Sequence, residues 1–286
     1  MIKYALIGAA GYIAPRHMWA IKETGGELVA ACDTHDSVGI LDKYFPACEF
    51  FTCPARFERH LQFLKCKGHS IDYLVVCTPN YLHDTHIRMG LNAGANIICE
   101  KPMVIKSRNV GPLIAEAKIA NRKINVIQQL RLHPALKNIC YMSPPYEIEL
   151  ICRTPRGPWY HRSWKGDEEK SGGLLMNIGV HLFDLLVSLF GDIVRIAEIA
   201  RTKNFACGIL EYEYARVHWL LSIEQGKSER ILNINGKHID LSRTFENLHI
   251  KSYEEILAGR GFEPVDVLPA LRLVDIIYKY PLTYNL

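Results

Sequence analysis

Short apolar runs at residues 2–7, 28–32, 73–77, 97–99 and 124–127 alternate with helix-like segments through the first 130 or so positions. Strands and helices in strict alternation predict a doubly wound parallel sheet with helices on both faces. The run Tyr73-Leu74-Val75-Val76-Cys77 is β-branched and continuously apolar, as a strand covered on both sides must be.

Chemistry is expected at the carboxyl end of each run. The first ends in Gly8-Ala9-Ala10-Gly11-Tyr12-Ile13-Ala14. Gly8 permits a tight turn, Gly11 lets backbone approach a pyrophosphate, and small Ala14 lets the next helix lie close to its strand. The amides beyond the turn would then face the phosphates from a helix N-terminus. The second run ends at Asp33, roughly 20 residues or slightly more past the glycines, where a carboxylate accepts hydrogen bonds from an adenosine ribose. It would repel a 2′-phosphate, and no arginine occurs within several residues after it, so NAD is favoured over NADP. An aspartate closing a strand is also an ordinary turn residue.

The third run leads into Thr78-Pro79-Asn80-Tyr81-Leu82-His83, at the same sheet edge. The fourth breaks at Cys99-Glu100-Lys101-Pro102. Pro102 cannot extend a ladder, so the charged pair stands at the carboxyl edge, where open α/β sheets hold their ligands. Lys101 is a candidate reactive group, and Glu100 would hold a sugar hydroxyl or orient the ammonium. On its own, the dipeptide reads sooner as a solvated pair at a strand end.

The pattern changes after residue 128. One helix is expected after Pro134, then alternating strands at 146–152, 208–215 and 217–223 and a hairpin over 231–239 turning at Asn235-Gly236. Alternation of polar and apolar residues predicts a mainly antiparallel sheet with one open face, which a second subunit commonly covers. Between these strands, residues 153–167 interleave Trp159, Tyr160 and Trp164 with Arg153, Arg156, Arg162 and Lys165. Aromatics set among cations suit stacking on a base and pairing with a diphosphate, or else a basic solvated loop. Farther on, Asn177, His181 and Asp184 recur at i, i+4 and i+7 on an otherwise apolar helix. Burying that face costs free energy unless it meets partners or a ligand.

Composition narrows the partners. A formal net charge of +4 over 286 residues is too mild to argue for nucleic acid. No apolar stretch is expected to reach membrane-spanning length, and the N-terminal run is too short for a secretory signal, so the expected location is cytoplasmic. Nine scattered cysteines without a CxxC pair predict reduced thiols and no metal site.

Taken together, the glycine turn, Thr78-Pro79-Asn80 with His83, Glu100-Lys101-Pro102, Gln129 with Arg131, and Asn177 with His181 and Asp184 resemble the glucose-fructose oxidoreductase, inositol dehydrogenase and rhizopine-catabolism (Gfo/Idh/MocA) family. The resemblance covers nearly the whole chain. More narrowly, Gly8 to His17, Ser163-Trp164-Lys165-Gly166-Asp167, Asn177-Ile178-Gly179-Val180-His181 and Ser252 to Gly261 look like the UDP-N-acetyl-2-amino-2-deoxyglucuronate 3-dehydrogenases. This implies a Rossmann-type NAD-binding domain at 1–128 and an α+β substrate-binding and oligomerisation domain at 129–286. It further implies that Gly8, Gly11, Tyr12, Ile13, Asp33, Thr78, Asn80, His83, Glu100 and Gln129 line NAD. Lys101 and His181 would meet at the reacting carbon, with Arg131, Tyr160, Trp164, Lys165 and Asn177 around a UDP-sugar substrate. His181, which titrates nearest neutrality, is assigned as base; Lys101 would stabilise the developing alkoxide, although the two roles are exchangeable on residue chemistry alone. Many family members have aspartate where this chain has Asn177. The rival readings are the same chemistry on a free sugar or polyol and a non-catalytic dinucleotide-binding sensor. A homo-oligomer is expected through the open sheet.

Overall fold

The computed structural model describes residues 1–141, 144–239, 241 and 247–283. The parallel sheet is present as expected. Its strands β1 (Lys3–Ile7), β2 (Glu27–Cys32), β3 (Glu49–Phe51), β4 (Tyr73–Val76), β5 (Asn96–Cys99) and β6 (Ile124–Val126) run in the order β3-β2-β1-β4-β5-β6, all parallel. Winding reverses between β1 and β4, which sets the carboxyl ends of these two strands at the switch point where such sheets bind ligands. Strand β3 escapes a sequence reading because its three residues, Glu49-Phe50-Phe51, are too few to show a period.

The helix Ala14–Glu23 starts with Pro15 in its first turn and buries Met18 and Ile21 against Tyr4, Leu6, Val75 and Ile98. Proline belongs there, because the first helical amides have no partner within the helix. The resulting core lies directly beneath the glycine turn.

The second sheet holds β7 (Tyr146–Arg153), β8 (Arg195–Arg201), β9 (Phe205–Glu211), β10 (Ala215–Ser222), β11 (Glu229–Ile234) and β12 (Lys237–Ile239) in the order β12-β11-β7-β10-β9-β8. Only β7 and β10 pair in parallel, so the sheet is mainly antiparallel. Asn235 and Gly236 both have positive φ, at 51° and 79°, as the two-residue hairpin turn requires. Strand β8 was not expected. Strand β9 begins and ends earlier than 208–215, because Tyr212 already donates its amide across the turn to the Ala215 carbonyl at 2.7 Å. Ile148 and Leu150 of β7 and Val217 and Trp219 of β10 are buried on one face, and Phe183 of the helix Val180–Phe190 meets the Trp219 ring edge-on at 5.2 Å.

The chain divides into two compact units, and the division is not linear. The first comprises Met1–Val104, Arg108–Ile127 and His249–Asp266; the described residues of Ile105–Ser107, Gln128–Leu248 and Val267–Leu286 form the second. Residues 249–266, which the sequence assigned to the second domain, therefore belong with the first. Tyr253 and Ile256 join its core beside Tyr4, and the Val126 amide donates to the Phe262 carbonyl at 2.8 Å. The helical run Glu168–Phe190 also corrects an expectation. It is long and apolar enough to cross a membrane by length and composition, but 67% of its apolar window is buried inside the fold, as in the core helix of a soluble protein.

Candidate active site

The turn after β1 is built from backbone. Gly8 has φ +94°, and a Cβ there would lie 2.6 Å from the Cys77 carbonyl carbon and 2.7 Å from the Thr78 nitrogen. Only glycine lets β1 end this close to the exit of β4. The amides of Gly8 and Ala9 donate to the Cys32 carbonyl at 2.8 and 3.1 Å, that of Ala10 to Asp33 Oδ2 at 2.9 Å, and that of Gly11 to the Gly8 carbonyl at 3.1 Å. Among the described residues the amides of Tyr12 and Ile13 meet no such acceptor. Two open amides at the start of a helix, with a cradle that a side chain would fill, fit a dinucleotide pyrophosphate. Asp33 also accepts from the His35 amide at 2.9 Å, and each of its oxygens keeps a lone pair for a ribose hydroxyl.

The polar residues after β4 are more internal than their expected roles implied. Asn80 and His83 are buried. The His83 ring lies 2.8 Å from the Pro102 carbonyl through Nδ1 and 2.8 Å from the Thr78 carbonyl through Nε2, so it braces the segment after β4 to the one after β5. Burial pushes its pKa down. The Thr78 hydroxyl pairs with His86 Nδ1 at 2.9 Å.

Glu100 also points inward. Its Oε1 lies 3.0 Å from His17 Nε2 and 3.1 Å from His249 Nε2, and its Oε2 accepts the Lys101 amide at 3.2 Å. Behind it, the Tyr253 hydroxyl sits 2.8 Å from His17 Nδ1. Burial favours the neutral acid, but the hydrogen bonds from the two imidazoles outweigh it and hold the Glu100 carboxyl well below the usual range. Burial holds the His17 ring below its ordinary value and pushes the Tyr253 phenol well up. Lys101 itself is half-buried at the end of β5. His17, His249 and Tyr253 carried no functional assignment from the sequence. The only signal was that His17 and Tyr253 fall inside the two strings, at 8–17 and 252–261, that carry the family resemblance.

In the second unit the polar helix face finds partners. Arg131 grips Asp184 through both carboxylate oxygens, at 2.7 and 2.6 Å, and the Asn177 amide donates to the Tyr160 hydroxyl at 2.8 Å. Asn177 sits in a π-helical turn, Leu175–Gly179, and His181 comes next at the start of the helix Val180–Phe190. Such wide turns re-aim side chains and recur at functional sites. The Lys165 ammonium lies 4.3 Å from the Trp164 ring centre and 5.9 Å from that of Trp159. Burial, and then Arg156, lowers its pKa. A small surface recess beside it is lined by Tyr160, His161, Lys165, Glu168, Lys203 and Ile223. Gln129 is buried, and among the described residues its side-chain carbonyl oxygen meets no hydrogen-bond donor.

A doubly wound sheet with a glycine-turn phosphate cradle defines a dinucleotide-binding Rossmann unit, here in a chain that also carries a second α/β unit. Residues 2–128 match the NAD-binding Rossmann fold of the Gfo/Idh/MocA oxidoreductase family, and residues 144–256 match that family's C-terminal alpha/beta domain. The chain belongs to this family. Over its whole length it is 41% identical, at a TM-score of 0.94, to the WlbA (WbpB) dehydrogenase of Thermus thermophilus, covering 97% of that chain. Crystal structures of that enzyme hold NAD with α-ketoglutarate or with UDP-GlcNAcA. The Bordetella pertussis WlbA dehydrogenase shares the fold at 22% identity and a TM-score of 0.79, over 97% of this chain and 95% of its own. Among curated relatives, the D-apiose dehydrogenase of Paraburkholderia graminis is 23% identical over 71% of this chain and 54% of its own. The chain thus spans about half the length of such relatives.

Proposed function

We propose that this protein oxidises the C3 hydroxyl of a UDP-linked 2-acetamido-2-deoxyglucuronic acid to the 3-keto sugar, in the biosynthesis of 2,3-diacetamido sugars of surface glycans. The observation that carries this reading is the whole-chain likeness, at 41% identity, to a dehydrogenase whose crystal structure holds NAD and UDP-GlcNAcA. The bound nicotinamide supplies the hydride acceptor.

The chain's own residues divide the remaining work. His181 accepts the C3 hydroxyl proton while the C3 hydride departs, and Lys101 orients that oxygen and stabilises the charge developing on it. Gly8, Gly11, Tyr12 and Ile13 receive the pyrophosphate on main-chain amides, Asp33 takes the adenosine ribose, and Thr78, Asn80 and Gln129 complete the cofactor contacts. Trp159, Trp164 and Lys165 offer ring faces and a cation to the uridine diphosphate, as stacking and anion pairing require. Tyr160 orders Asn177 toward the sugar through their hydrogen bond.

Two further parts belong to this reading. A cytoplasmic setting is supported by the thiols of Cys32, Cys77 and Cys99, which are buried and outside any disulfide. Pairing of the second sheet with another copy is supported by the half-buried row Cys207, Leu220, Ile151 and Ile231, which lie side by side across four strands.

NADH absorbance with UDP-GlcNAc, its uronate and myo-inositol, compared side by side, tests the proposal. Turnover of the uronate is expected. Turnover of inositol alone would move the assignment to free polyols, and the absence of turnover with dinucleotide still binding would leave a sensor.

A further inference from the structure

The Glu100 cluster asks for an explanation, because a carboxylate is an expensive residue to bury at a strand end. Glu100 is 6% exposed, and His17, His249 and Tyr253 are each 0% exposed. The two rings reach it from 83 and 149 positions away, one on the helix after the glycine turn and the other on the returning helix Leu248–Leu257. An ionised carboxylate only accepts, so both Nε2 atoms carry protons and donate. His17, neutral and protonated on Nε2, then presents a bare Nδ1, and the Tyr253 hydroxyl donates to it. This assignment leaves each hydrogen bond of the chain with one donor and one acceptor.

The other carboxylate oxygen takes the Lys101 amide, and the next residue is pinned as well, because the Pro102 carbonyl lies 2.8 Å from His83 Nδ1. The backbone on both sides of Lys101 is therefore held by buried imidazoles. A side chain that must meet a reacting atom to within about half an ångström needs that kind of support.

We propose that His17, His249 and Tyr253 are positioning residues that act through Glu100 to fix the backbone from which Lys101 is presented. The inference rests on the reading of Lys101 as a group at the reacting carbon. His17, Glu100 and His249 also place ligand atoms within 4.8 Å of one another, the set a divalent cation takes. A metal needs bare Nε2 lone pairs, whereas this network needs protons there, so the two arrangements exclude each other.

Three measurements on the full chain test it. Long-range 15N NMR of the imidazole rings should show Nε2 protonated in both His17 and His249 at neutral pH. A bare Nε2 in either ring, or stoichiometric Co2+ binding with visible absorption that His17→Gln abolishes, overturns the proposal. Next, hydrogen exchange at the Lys101 amide should quicken at least tenfold in His249→Leu and stay within threefold of wild type in His249→Gln, whose amide nitrogen replaces Nε2. Equal exchange in the two variants overturns it, and this readout does not depend on the substrate.

Finally, with whichever sugar the wild type oxidises, His249→Leu should lower kcat at least tenfold while KM and the NAD dissociation constant stay within about twofold. His249→Gln should recover most of the loss. Should His249→Leu fail to fold, Tyr253→Phe, which removes only the donor to His17, carries the test through the same exchange and kcat readouts, with unchanged values overturning the proposal. A wild type inert toward every sugar defeats the functional reading, while the ring-proton and exchange results still decide the network.

Discussion

Arg131 and Asp184 form a two-pronged ion pair, Nε to Oδ2 at 2.7 Å and Nη2 to Oδ1 at 2.6 Å, with only 1% of the Asp184 side chain exposed. Of the three polar groups aligned on the apolar helix, Asp184 is therefore occupied by a side chain from the 3-10 turn Gln129–Leu132. Asn177 is held by Tyr160, and His181 lies between them in sequence. Two of the three polar groups on this face are thus hydrogen-bonded within the second unit.

Removing the carboxylate takes away both hydrogen bonds that Asp184 makes to the largely buried Arg131 guanidinium. Asp184→Ala is expected to cost about 3 kcal/mol in urea unfolding, the usual scale for breaking a buried pair from one side. A loss under about 1 kcal/mol would show that the pair is solvated in solution.

Gly8→Ala tests the phosphate cradle. The new methyl meets main-chain atoms of Cys77 and Thr78 at 2.6–2.7 Å and sits at φ +94°, so neither the neighbour nor the backbone can yield cheaply. NAD affinity should fall at least tenfold by fluorescence titration, with stability lowered by about 2 kcal/mol. Binding within twofold of wild type would remove the turn from the cofactor site.

Acid should weaken the first unit before ordinary carboxylates titrate. Burial lowers the His86 pKa from 6.5 to about 4, and burial also lowers those of His17 and His83. These rings are neutral when folded and take up protons when unfolded, so the unfolded state binds more protons. Stability is complete above pH 6.5 and drains as pH falls toward about 4. Glu100, held low by its imidazoles, adds a loss of the same sign below that. Urea midpoints should give about 2 kcal/mol more stability at pH 7.5 than at pH 4.5, and His86→Asn should flatten part of the slope. A pH-independent midpoint across that window would mean the rings are solvated.

Lys101→Met and His181→Asn should each lower turnover about a thousandfold, within the range expected for loss of a proton-handling or charge-stabilising group. NAD should still bind, because neither side chain builds the glycine turn. Near-normal turnover in either variant would show that the residue had been given the wrong role.

The parallel sheet, the glycine turn, Asp33 and the strand-end Lys101 were legible because each is a local event. An apolar run, a φ that only glycine tolerates or a proline after a charged pair can be read within a few residues. The returning helix was not legible in the same way. Its amphipathic pattern shows that Tyr253 and Ile256 face a core, but periodicity cannot say which of two cores accepts them, and here it is the first. The inward orientation of Glu100 and His83 is hidden from the sequence for a similar reason. The sequence shows polar residues at a sheet edge, and nothing local reports that His17, His249 and two main-chain carbonyls wait on the inner side.

The amino-acid sequence by itself determined the two kinds of sheet, the dinucleotide turn and the chemical identity of the reactive candidates, since those come from short-range sterics and side-chain period. Tertiary structure alone decided which polar groups are internal supports and which stay available. A buried carboxylate or imidazole is settled by donors and acceptors brought together from far along the chain, and those pairings exist only once the core has closed around them.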